Sequence, residues 1–211
     1  MKTFNFTMLL FLSAHIMQAQ ETRFESAMTV QLDKAKNAQT LEDFQSLANT
    51  FLRIAEAEKT QWTPWYYAAF YNLTINFMDQ DAERRKKYIA LAQQQIESGL
   101  RIKPDETELM VIKVMSWYAE MSIDPMTALT LLGEANALLD KAKSINPENP
   151  RIYLLESEAL KGMPVEFGGG LEKACPKLLV AKEKFDKFVP TDIISPDWGG
   201  DRCNLLMEDC K

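Results

Sequence analysis

An all-α fold of stacked antiparallel helix pairs is what this sequence predicts, and three observations predict it. Apolar residues recur at three-to-four spacing along almost the whole chain, as one face of a helix requires. Prolines fall between these stretches, and glycine is nearly absent until Gly162. A triple of small, large and small residues recurs at fixed offsets. In "ALLDKAKSINP" it is Ala135, Leu139 and Ala142, closed by Pro147; earlier it is Ala92, Ile96 and Gly99, closed by Pro104. Offsets of four and three put the triple on one helix face, where small side chains admit a neighbouring helix and the large one fills the gap.

The elements follow in chain order. Residues 1–19, MKTFNFTMLLFLSAHIMQA, combine Lys2 with an apolar run too short to span a bilayer and read as a secretory leader cut after Ala19. No cysteine stands at that cut, so a lipid anchor there is not expected. Helices are then expected over 22–37 and 41–58, a weak unit in which Ala48, Leu52 and Ala55 echo the triple without the proline. Helices over 63–78 and 81–101 form the first full unit, about 60–104, with Asp81 capping the charged start "DAERRKKY". Helices over 106–121 and 127–144 form the unit 105–147, and 149–161 with 171–187 form the unit 148–188. Its triple is Ala174, Leu178 and Ala181, with Pro190 arriving late. A tail over 189–211 carries a short helix near 199–209.

Counting six residues on from each closing proline aligns Met110 and Tyr153, with Trp65 as the matching residue of the earlier unit; four further on come Ala69, Val114 and Ser157. A bulky residue, a small one four later, then the triple and a closing proline is similar to the tetratricopeptide repeat. The resemblance implies a right-handed superhelix whose units must stack to bury their faces. The triples recur after 43 and 39 residues rather than the repeat's usual 34, so two loops are enlarged: "EMSIDPMTALTLLGE" and "KGMPVEFGGGLEK". In the first, Asp124 is expected to cap the helix that follows, with Pro125 in a first helical position; in the second, a compact glycine turn is expected to let Phe167 tuck under the last helix pair. The strings "FGGGLEKAC" and "PDWGG" resemble a family of largely uncharacterised exported tetratricopeptide-like proteins of gram-negative bacteria of the Bacteroidetes type. More distantly, they resemble helical-repeat binding components of solute-uptake systems. That family brings no catalytic residues.

Charge and residue types narrow the function. Lys and Arg total 24 against 30 Asp and Glu, a net charge of −6 that becomes one more negative when Lys2 leaves with the leader. Basic and acidic residues are interspersed, so nucleic acid is not an expected partner. The one histidine, His15, lies in the leader. Histidine-dependent nucleophile systems and His-bearing metal sites are therefore excluded from the mature chain. No enzyme, no cofactor and no metal site is expected. Cys175, Cys203 and Cys210 cluster near the end; in an exported chain Cys175 pairs with Cys203 or Cys210, or all three stay reduced.

Stacked helix pairs leave a concave face lined by the first helix of each unit. The register turns Tyr66, Phe70, Val111, Met115, Leu154 and Glu158 inward, with Tyr118 and Lys161 one turn on and Glu108 and Arg151 at the mouth. Two functions fit such a face: an envelope scaffold that holds a protein or peptide in the groove, or a solute-binding component that encloses a small apolar ligand between the first helices and the enlarged loops. Either is expected to be exported, periplasmic or secreted, with no membrane span once the leader is removed.

Overall fold

Small side chains at matched places let helices close on one another, and the burial pattern follows that rule. A computed structural model describes residues 22–211. The expected leader over 1–19 lies outside the described residues. Among them the regular structure is entirely helical. α1 spans 22–35, and α2 is Leu41–Ala57. α3 (Thr63–Met78) and α4 (Ala82–Ile102) make one pair, α5 (Thr107–Ile123) and α6 (Ala128–Ile145) the next, and α7 (Pro150–Gly162) and α8 (Leu171–Phe185) the third. α9 (Gly200–Leu206) lies in the tail and runs into a 3-10 turn at Met207–Cys210, where a single helix to 209 was expected.

Each helix start has a local cause. Thr40 and Asp43 cap α2 reciprocally, Asp81 accepts from the Arg84 N–H at 2.8 Å, and Asn149 accepts from the Arg151 N–H at 3.0 Å ahead of Pro150. Asp124, expected to cap the helix after Pro125, caps instead the 3-10 turn Pro125–Thr127 that precedes α6.

The triples sit at the helix contacts. Ala92, Ile96 and Gly99, then Ala135, Leu139 and Ala142, then Ala174, Leu178 and Ala181 are all buried. Gly99 shows why the size matters: a Cβ there would meet Leu109 Cδ2 at 2.9 Å, so any larger residue would have to push the Leu109 side chain aside. The positions four after the bulky register, Ala69, Val114 and Ser157, are buried too, while Trp65 and Tyr153 are half-buried. α3 touches α5 and α5 touches α7, so the first helices of the three pairs stand side by side. Rings reinforce the α2–α3 contact: Phe51 stacks on Tyr67 and Tyr71 with centroids 5.0 and 5.6 Å apart.

The glycine loop is a turn, with Gly168 and Gly170 at positive φ and the Gly170 N–H donating to Leu160 O at 2.8 Å. It does not tuck Phe167 away. Phe167 is 78% exposed, because the short 3-10 turn Val165–Phe167 swings its ring outward.

Candidate functional site

The side-by-side faces of α3, α5 and α7 carry every residue expected to line the groove, but the chain's own tail lies across much of that surface. Tyr66, Val111 and Leu154 are fully buried. The Trp198 indole N–H donates to the Tyr66 hydroxyl, and the Tyr67 hydroxyl donates to Ile194 O at 3.0 Å. Trp198 also packs on Phe70, ring centroids 5.4 Å apart. Further along, Cys203 is buried with Leu154, Leu178 and Ala181. Gly199 passes so close that a Cβ would meet Phe185 at 2.7 Å, and its φ of +105° is one that glycine adopts readily.

Glu108 and Arg151, expected at the mouth of the groove, are both buried instead. Arg151 is completely buried, its guanidinium held between the rings of Phe188 and Trp198 at 4.7 and 5.3 Å. It donates to Pro196 O at 2.8 Å and to Glu108 at 3.1 Å, while Asn149 donates to the same Glu108 oxygen. Burial pushes the Glu108 carboxyl up to about 7; Arg151 opposes this and Glu106 adds to it. Burial likewise raises the Tyr66 hydroxyl well above its ordinary range. The Cys175–Cys210 disulfide fastens the end of the tail to α8, one of the two pairings left open, and Cys203 is a free buried thiol.

Phe70, Met115, Tyr118 and Glu158 border the space that the tail leaves open, and three of them line the largest apolar hollow described, about 840 Å³. Met115, Tyr118 and Ser122 come from one face of α5; Leu155, Glu158, Ala159 and Gly162 come from one face of α7, again at three-to-four spacing. The two enlarged loops wall the sides: Pro125, Leu129 and Leu132 on one, Met163, Pro164 and Phe167 on the other. Leu129 is 83% exposed and Met126, beside it, 70%, so an apolar rim stands open to water. Phe77 of α3 and Arg202 of α9 close the end and also border a neighbouring cleft of about 670 Å³ that contains Phe70 and Trp198.

Few polar groups reach the hollow. Arg202 pairs with Glu158, Nε to Oε1 at 2.5 Å and an η nitrogen to Oε2 at 2.9 Å. Burial raises the Glu158 carboxyl, and Arg202 and Lys161 oppose it. Lys161 itself lies at the surface, paired with Asp209 at 2.5 Å. The Tyr118 hydroxyl is buried and has no hydrogen-bond partner among the described residues. A separate polar cleft of about 480 Å³ opens at the other end of the face, where Lys103 pairs with Glu106 and stands over the Trp62 ring.

Sequence reasoning missed Met121, Leu129, Leu132, Met163, Phe167 and Arg202 as hollow-lining residues. The enlarged loops were the available signal for five of them; nothing local marks Arg202. Among the described residues no helix is long and apolar enough to cross a membrane, and no three His, Cys, Asp or Glu residues are grouped to hold a metal ion.

Comparison with known proteins finds no matching family model and no matching curated protein. Among solved structures the chain is similar to the HusA haemophore from Porphyromonas gingivalis, 24% identical, with a TM-score of 0.79, covering 89% of this chain and 92% of that one. A thermophilic TPR protein from Thermus thermophilus aligns at 17% identity over 83% of this chain and 87% of that one, with a TM-score of 0.44. The likeness to the haemophore is a likeness of fold: an all-helical chain followed over nearly its full length.

Proposed function

We propose that this chain is an exported, non-enzymatic binding protein that holds a large apolar small molecule of the haem class in the hollow between α5 and α7. The observation that carries the reading is the hollow itself. Its volume of about 840 Å³ falls in the range of small-molecule sites, roughly 300–1,000 Å³, and its lining is almost entirely apolar. Met115, Met121 and Met163 provide polarisable, adaptable surface, while Phe77 and Phe167 offer ring faces to a flat ligand. An open apolar rim in water is costly to leave bare, and a bound apolar body removes that cost. The fold shared with a haemophore supports the choice of ligand class.

A binding role also suits a protein or peptide partner, but the concave face, where such a segment was expected to lie, is covered by the chain's own tail. The small-molecule reading uses the surface left open.

The test is titration of the full chain with haem and with metal-free protoporphyrin IX, followed by tryptophan quenching and the ligand's absorption band. Saturable binding is expected. Leu129→Asp puts a charge into the wall at a position exposed enough to leave folding intact, and it should weaken binding at least about tenfold, the scale of about 1.4 kcal/mol. Wild-type affinity in that variant, or no saturable binding by the parent, would rule the reading out.

A further inference from the structure

The hollow is lined mostly by apolar side chains; its charged members are Arg202 and Glu158, with Tyr118 close enough to Glu158 to feel its charge. Arg202 is the one cation in the lining among the described residues. Both carboxylate oxygens of Glu158 meet its guanidinium, the fork-to-fork geometry in which arginine recognises a carboxylate. Tyr118 adds a hydroxyl donor with no partner, in a place already desolvated.

We propose that the hollow selects an amphipathic acid, its apolar body seated between α5 and α7 and its carboxylate paired with Arg202 in place of Glu158. This rests on the ligand-binding reading and names the chemistry that the site reads. Glu158 stands now where the ligand's carboxylate would go. The groups facing Glu158 are Arg202 from α9, Lys161 on its own helix with Asp209 behind it, and Tyr118 from α5. When a ligand takes Arg202, Glu158 loses the first of the cations holding it charged, and its burial then favours the protonated form. Exchange of one carboxylate for another leaves no cation bare. A chain of net charge −6 repels anions in general, so a local fork is what makes an acid acceptable.

The experiment compares protoporphyrin IX, which carries two carboxylates, with its dimethyl ester, which has the same ring and none, on the full chain and on Arg202→Gln and Glu158→Gln. The parent should bind the diacid about tenfold more tightly than the ester, the scale of one charge-assisted hydrogen bond. Arg202→Gln should weaken diacid binding far more than ester binding, so that the preference is lost. Glu158→Gln, which frees the fork, should strengthen diacid binding and leave the ester alone; it also serves if Arg202→Gln folds poorly. Equal affinity of the parent for the two ligands, or equal weakening of both by Arg202→Gln, overturns the selection of acids while leaving a bound porphyrin. Absence of binding by either ligand removes the hollow as a porphyrin site, and this inference with it.

Discussion

Ala135 has no exposed surface, while Ala137, two residues along the same helix, faces water. The contrast measures what the small positions do. Ala135→Leu pushes extra methylenes into a closed helix contact and should cost about 1–3 kcal/mol in urea unfolding, whereas Ala137→Leu should stay within about 0.5 kcal/mol. Glu108 makes a second residue-scale prediction. Burial pushes its carboxyl from the ordinary value of 4.5 up to about 7 in the fold. Between those values the folded state keeps a proton that the unfolded state has lost, so this group's contribution to stability is full below about 4.5 and fades as pH rises towards 7. The unfolding free energy from urea titrations at pH 5 to pH 8 should fall in the parent relative to Glu108→Gln, by roughly 2–3 kcal/mol over the interval. A difference that does not change with pH would show that Glu108 is not proton-linked to folding.

Among the elements, the tail depends most on long-range contacts. Its short helix has seven residues, too few to be stable alone, so docking and the disulfide hold it. The Cys175–Cys210 link closes a loop of 35 residues, worth about 3–4 kcal/mol if it acts by restricting the unfolded chain. Cys175→Ser with Cys210→Ser should lower stability by that order. It should also speed amide exchange over 194–210 while α3, α4 and α5 keep their protection. Uniform loss of protection in every helix would mean that the tail is not a separate opening unit. The helices themselves are legible in the residues alone, most boundaries agreeing to within two residues, because caps, prolines and three-to-four spacing are local. The tail's place is not. Trp198 and Tyr66 are 132 residues apart, and no periodicity announces such a contact.

For the whole molecule, helix pairs nest through small residues, the tail lies over α3 and α7, and the two enlarged loops border an apolar hollow beside it. The register picks out which helices stand side by side, and three of the residues that it turns inward, Met115, Tyr118 and Glu158, border the hollow. It does not tell which part of that face remains open, because this depends on where a distant segment docks. Leu129 at the start of α6 and Phe167 in the glycine loop read as ordinary apolar positions until their exposure is seen. The most direct test of the account is amide hydrogen exchange of the full chain with and without haem. Added protection is expected over 115–132 and 155–167, with residues 66–70 and 194–198 unchanged. Protection confined to 66–70, together with faster exchange over 194–198, would show instead that a ligand displaces the tail, and would contradict the placement of the site in the hollow.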